Sequence, residues 1–286
     1  TSFLRDAYYC SSILFQSENM KVLKFGGSSV AKPERIKGII EILKTYYERG
    51  EKITVVFSAL GGVTDSLIEM SHTAAKGKDT YQELFNAFRQ RHIEAAQELI
   101  NENLLSKVLP ILEQNHAVLK NLLYGIFLVR EASLRTMDYV LSFGERNSAF
   151  IIAHALQNQG IPASYLDARK VIKTDKSFGN SKVDFEATYK KIQEHYRKQN
   201  DIHIVTGFVA SAKGGLTTTL GRGGSDYTAA LLAAGLEAKQ IEIWSYVSGV
   251  LTCDPRKVKR AFTIPKMTYA EAMEMSHFGA KVIYPP

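Results

Sequence analysis

Short apolar runs alternate with longer stretches of helical period along most of the chain. Lys21 to Phe25 and Lys52 to Phe57 are apolar enough over five or six residues to predict buried strands. Each runs into a glycine loop, Gly26-Gly27-Ser28-Ser29 after the first and Ser58 to Asp65 after the second. Each loop then leads into a helix. Pro33-Glu34 opens one with Ile36, Ile39, Ile40 and Leu43 on a single face, and the other is expected from Ser66. Between about Thr80 and Leu141 no strand signal occurs, and Leu99, Leu104, Leu105, Val108 and Leu112 recur at helical spacing, so this part predicts a helical excursion. Ser142 to Ser148 is polar and glycine-containing; it predicts the entry to a helix over Ala149 to Gln157, with Glu145 in the first turn.

The alternation then resumes. A strand is expected over Ala163 to Asp167, a polar loop over Val171 to Asn180, and an amphipathic helix over Asp184 to Lys198. The apolar run Ile202 to Val209 predicts another strand. A helix over Tyr227 to Leu236, a strand over Gln240 to Trp244 and a helix over Met267 to Phe278 complete the pattern. Strands alternating with helices throughout predict an α/β protein, its mainly parallel sheet covered on both sides. The periodic pattern starts at Met20, so residues 1–19 are expected to be an extension. Gly279 to Tyr284 breaks off within a strand-like run, which predicts a piece of a longer protein.

Composition narrows the class. Of 286 residues, 45% are hydrophobic, enough for one sizeable domain or two small ones. The net charge of +7 is scattered rather than focused in a stripe with interleaved aromatics, which argues against nucleic acid and suits a site for small anions. Cys10 and Cys253 make neither a metal pair nor a disulfide framework, so a reducing, cytoplasmic setting is expected. No apolar run reaches membrane-spanning length, and no membrane partner is expected. His72, His92 and His116 lack metal-ligand spacing, and no protein metal site is expected.

The densest polar stretch is Thr217 to Asp226, Thr-Thr-Thr-Leu-Gly-Arg-Gly-Gly-Ser-Asp, between the strand and the helix that follow Ile202. Three threonines here are hard to explain as core. Glycines let backbone N–H groups approach an anion, and a helix N-terminus adds its positive end. Arg222 offers a planar fork suited to a carboxylate or phosphate. Asp226 is open to three roles: capping the helix, holding a substrate ammonium group, or organising lysines. Lys24 ends the first strand beside its loop, and Ser58 and Thr64 are hydroxyl donors to a ligand or simply turn and cap residues. Glu145 is either a dipole-complementing carboxylate or a receptor for an ammonium group. The phosphate-loop, dinucleotide, protein-kinase, zinc-protease and nucleophile-elbow motifs are all missing. Glycine loops at strand ends with lysines, one arginine and a few carboxylates suit phosphoryl transfer, where positioning and charge stabilisation dominate. A carboxylate acceptor would need no general base, since it is already ionised at neutral pH.

Lys24 to Val30, Ser58 to Thr64, Ser142 to Glu145, Gly221 to Thr228 and Phe278 to Val282 closely resemble the motifs of aspartate kinases, in the amino acid kinase family. The resemblance runs from Met20 to the end. The phrase Gly249 to Arg256 is most similar to the kinase half of bifunctional aspartokinase–homoserine dehydrogenases. The resemblance implies a three-layer αβα sandwich with a helical insertion. It implies ATP with Mg²⁺, and L-aspartate as the phosphoryl acceptor, at the head of lysine, threonine and methionine biosynthesis. By motif, Lys24 and Lys281 would stabilise the moving phosphoryl group, with Asp226 organising that end. Arg222 would clamp the α-carboxylate, Glu145 would meet the ammonium group, and Thr64 and Ser225 would lie on the aspartate side. Gly26, Gly27 and Ser58 would line the phosphate path. Ser245, Tyr246, Asp254 and Arg256 would lie on the nucleotide side. Residues 20–286 would form the catalytic domain, with the family's regulatory domains absent and a homo-oligomer expected. The sequence departs from the family where Ser245-Tyr246 replaces a usual Thr-Asp and Leu251 a common Tyr, both bordering the nucleotide pocket. Two alternatives stand beside this reading. One is a sister kinase acting on another carboxylate or on carbamate, which the combination of the Ser58 to Thr64 loop, Glu145 and Arg222 disfavours. The other is a binding domain without turnover, motivated by Ser245-Tyr246.

Overall fold

A computed structural model describes residues 20–197, 201–245, 249–254 and 257–278. Five parallel strands form the main sheet: β1 (Lys21–Phe25), β2 (Ile53–Phe57), β3 (Ala163–Leu166), β5 (Ile202–Thr206) and β8 (Gln240–Trp244), in the order β3-β5-β2-β1-β8. β2 and β5 are buried over their full length, as expected of central strands covered on both faces. The register aligns Phe25 with Phe57 and with Trp244, and Phe57 with Thr206, so these strands end at one edge. Phe25 stacks on Phe57 at 5.4 Å and on Trp244 at 5.7 Å, a three-ring layer directly beneath that edge.

Side-chain alternation divides the interior in two. Leu23, Phe25, Val55 and Phe57 face the larger core, built with α1 (Pro33–Glu48), α2 (Val63–Ala75), α3 (Tyr81–Leu99), α4 (Glu102–Val129) and α5 (Leu134–Asn158). Val22, Val56 and Val205 face the other, built with α6 (Phe185–Tyr196) and α7 (Gly224–Gly235). A sheet with helices on both faces is therefore observed, as the alternation predicted. The helical excursion is α3, α4 and the start of α5. A final helix, α8, covers Tyr269–His277 and begins with a capping box between Thr268 and Glu271.

Three expectations are corrected. α2 starts at Val63 rather than Ser66, so Thr64 and Asp65 lie in its first turn. The run Ile202 to Val209 is not one strand: Phe208 adopts φ 67° and the chain leaves the sheet at Gly207. β6 (Val209–Ala212) and β7 (Leu216–Thr219) form an antiparallel hairpin, and β4 (Lys173–Thr174), within the expected loop, adds to it in parallel. Finally, α5 is one 25-residue helix, N-capped by Ser133, and Glu145 sits in its middle rather than its first turn. The polar stretch Ser142 to Ser148 stays helical because tertiary partners satisfy it. Ser148 Oγ donates to Ser58 O at 2.7 Å, and Asn115 donates to Asn147 Oδ1 at 3.1 Å.

Candidate active site

The loops after β1, β2 and β7 meet at the carboxyl edge of the sheet, where open α/β sheets bind ligands. They enclose a cleft of about 360 Å³. Lys24, Gly27, Ser58 and Thr64 line it from the first two strand–loop–helix units. Glu145, Arg222, Ser225 and Asp226 line it from α5 and the start of α7. Residues distant in sequence are thus brought to one place. Gly26 lies just behind: a Cβ there would sit 3.5 Å from Lys24 Nζ. Ser245 follows the end of β8, and Asp254 lies in a later turn whose N–H groups, from Lys257 and Val258, bond its carbonyl; neither lines the cleft. Tyr246, Arg256 and Lys281 lie outside the described residues.

Glycine brings the walls together. Gly27 approaches Ala59 so closely that a Cβ would lie 3.1 Å from its carbonyl oxygen, and a Cβ on Gly61 would lie 2.8 Å from Ala31 Cβ. Gly144 does the same for α5, since a Cβ there would meet Ala59 Cβ at 2.8 Å. That approach presses the next residue, Glu145, against the Ser58–Gly62 loop. Its side chain is 4% exposed, accepts a hydrogen bond from the Ala59 N–H, and leaves Oε2 without a partner among the described residues. Burial pushes its carboxyl up to about 8. Its position mid-helix denies it the dipole assistance that the first turn would give.

Across the cleft the charges differ in kind. Lys24 Nζ and Asp226 Oδ1 form an ion pair at 2.7 Å, which joins the end of β1 to the first turn of α7. Gly223, not Asp226, takes the cap position of that helix, with φ 73° and no side-chain cap bond, so organising a lysine is the role of Asp226 that the geometry favours. Ser58 Oγ donates to Ser225 Oγ at 3.0 Å, and Ser225 in turn lies so close to Gly207 that a Cβ there would overlap it. Arg222 is exposed, and among the described residues no carboxylate stands within ion-pair distance of it.

The threonines of the polar stretch are core after all. Thr217, Thr218 and Thr219 lie on β7 and are buried. Arg169 donates to Thr217 Oγ1 at 2.9 Å, Thr174 pairs with Thr218 at 2.7 Å, and Thr219 Oγ1 donates to Asp138 at 2.7 Å. Phe208 also lines the cleft, as do Gly61, Gly62 and Asp65 of the second glycine loop, to which the sequence assigned no individual role. Apart from the glycine pair, nothing local distinguishes them.

The model of the amino acid kinase family matches residues 19–286. The chain belongs to the amino acid kinase family. It is 39% identical to Arabidopsis thaliana aspartokinase 1, chloroplastic, over 92% of this chain and 46% of that protein. It is 32% identical to a chloroplastic bifunctional aspartokinase/homoserine dehydrogenase 2 of Zea mays, over 100% of this chain and 32% of that protein. Escherichia coli aspartokinase III in complex with aspartate and ADP superposes with a TM-score of 0.83 at 33% identity, covering 93% of this chain and 58% of that one. The chain spans about half the length, or less, of the curated relatives it matches. As a member of the amino acid kinase family it presents the cleft of Lys24, Glu145 and Arg222 at the carboxyl edge of its sheet.

Proposed function

We propose that this chain carries the catalytic machinery of an aspartate kinase, converting ATP and L-aspartate to ADP and 4-phospho-L-aspartate. One observation carries the reading. A buried carboxylate, Glu145, with an oxygen unpartnered among the described residues, and an exposed guanidinium, Arg222, with no carboxylate partner among them, face one cleft. That pair is complementary to the ammonium and α-carboxylate of an amino acid, and Lys24 stands in the same cleft for the reacting end. Glu145 takes the ammonium group, with Thr64 and Ser225 beside it, and Arg222 takes the α-carboxylate. The β-carboxylate, ionised at neutral pH, attacks the γ-phosphorus. The new O–P bond forms as the bond to the bridging β,γ-oxygen breaks, and ADP leaves with that electron pair. Lys24, held by Asp226, offsets the charge spread over the phosphoryl oxygens, and by motif Lys281 does so from the other side. Gly26, Gly27 and Ser58 line the phosphate path, with Ser245, Tyr246, Asp254 and Arg256 towards the nucleotide.

Among the described residues no cluster of three or more metal-ligating side chains occurs, and in the cleft the carboxylate nearest the phosphate path, Asp226, is already paired. That donor set fits Mg²⁺ carried mainly by nucleotide phosphates and water; when bound, it neutralises phosphate charge. Residues 20–286 form the catalytic domain in this reading, with 1–19 an extension and regulatory domains to follow in the longer protein. A homo-oligomer in a reducing compartment is its setting, and this step feeds the lysine, threonine and methionine pathways.

Hydroxamate trapping tests the reading. Incubation with Mg-ATP, hydroxylamine and L-aspartate yields the coloured hydroxamate, whereas L-glutamate and acetate yield none. A folded protein that binds aspartate but gives no hydroxamate, alone and in its full-length form, refutes turnover and leaves the binding-domain reading suggested by Ser245-Tyr246.

A further inference from the structure

Arg222 is exposed and has no carboxylate partner among the described residues, so little besides its backbone sets where its fork points. What fixes that backbone is a carboxylate on another element. Asp138 lies in the second turn of α5, 1% exposed, seven residues before Glu145 and so on the same face two turns away. Its carboxylate accepts from Thr219 Oγ1 at 2.7 Å, from Thr219 N at 3.2 Å, and from Gly179 N at 3.1 and 3.0 Å to its two oxygens. Thr219 is the last residue of β7, three before Arg222. Gly179 precedes Asn180, whose Oδ1 lies where a Cβ on Gly221 would be, 2.5 Å away, and Ser181 N donates to Thr219 O at 3.0 Å. One buried carboxylate therefore ties the root of the arginine loop to the loop that supports its outer side.

We propose that Asp138 is a positioning residue for Arg222 and so sets the affinity of the site for an α-carboxylate; this rests on the aspartate-kinase reading above. All three groups facing Asp138 are donors. An asparagine can keep these bonds, its Oδ1 accepting from both backbone N–H groups while its amide N–H donates to the Thr219 hydroxyl, whereas a leucine leaves both backbone N–H groups unpaired. Because α5 carries both Asp138 and Glu145, one rigid element fixes the receptors for both ends of the amino acid.

The test compares Asp138→Leu, which removes the acceptor of both backbone N–H groups, and the milder Thr219→Val, which removes only the hydroxyl donor, with the parent. Hydrogen exchange on the free proteins reads the positioning itself. Calorimetric binding of L-aspartate and of its α-amide, which lacks the charge Arg222 would hold, reads the consequence. Asp138→Leu is expected to weaken aspartate binding about tenfold or more, and to leave the α-amide and the KM for ATP within about twofold. Amides of 219–225 should exchange about tenfold faster while those of β1 and β2 are unchanged. Thr219→Val should show the same pattern at smaller size. Equal losses for aspartate and the amide, or unchanged exchange at 219–225 in both variants, overturn the proposal. Failure of the parent to phosphorylate aspartate would overturn the activity reading instead, and the exchange comparison would still decide the role of Asp138.

Discussion

Glu145 makes aspartate binding a proton-coupled event. Its carboxyl is pushed up to about 8 by burial, against an ordinary value of 4.5, so at pH 7 about nine-tenths of unliganded molecules hold it protonated. An ammonium group needs the ionised form, and ionising one residue whose value lies one unit above the pH costs about 1.4 kcal/mol. The apparent dissociation constant for aspartate should therefore fall about fivefold from pH 7 to pH 8, and by about tenfold in all as the residue becomes fully ionised. Calorimetry in buffers of different ionisation enthalpy should show about 0.9 proton released per aspartate at pH 7, shrinking to about half a proton at pH 8. Measurements are kept at or below about pH 8.5, where the ligand's own ammonium group is still protonated. The free protein responds with the opposite sign. A raised carboxyl value contributes most stability below about 4.5 and loses it as pH rises through about 8, so the parent should lose stability relative to Glu145→Gln over that window, by about 4 kcal/mol at most. A flat binding profile between pH 6.5 and 8.5, or the same slope in Glu145→Gln, would refute the reasoning.

Other perturbations separate assembly from chemistry. Gly144→Ala places a methyl 2.8 Å from Ala59 Cβ and should cost about 1–3 kcal/mol in denaturant unfolding, with aspartate binding weakened because Glu145 is displaced. Asp226→Asn breaks the pair with Lys24; as Asp226 is half-exposed, stability should change by no more than about 1 kcal/mol, while hydroxamate formation at saturating substrates should drop about a hundredfold. His92, His116 and His203 are held low by burial, near 3, 4 and 4, so their contribution is present above the ordinary 6.5 and lost as pH falls towards 4. On unfolding near pH 5 these three histidines together should take up close to three protons, offset by most of one released from Glu145, and His92→Leu should lower the net uptake by about one, as read by potentiometric titration against circular dichroism.

The central strands of the main sheet were legible because continuous apolar runs leave little choice about burial, and the glycine loops because no core needs so many small residues at one place. Lys24, Ser58, Arg222 and Asp226 could be nominated from that pattern and the family's motifs. Their convergence depends on strand order, which sequence spacing does not encode. The middle of α5 was illegible for a different reason. Asn147 and Ser148 look like a loop because hydrogen-bond partners of theirs, Asn115 and Ser58, lie in other elements, while Ser142 is satisfied within the helix by Tyr139 O. Thr217 to Thr219 misled in the same way: their partners are Arg169, Thr174 and Asp138, 44 to 81 positions away. Buried polar residues whose satisfaction is entirely long-range carry no local signature, and Asp138 stayed unnoticed for that reason.

The three-ring layer beneath the site has a use beyond packing. Trp244 is the only tryptophan in the chain, and its ring ends a stack with Phe25 and Phe57 directly under Lys24 and the loop that carries Ser58. Its indole N–H is tied to Glu242 at 3.2 Å. The molecule is thus built with a single fluorophore at the floor of its own ligand edge. Events on that edge are written into one emission band, without a label and without a second indole to dilute the signal.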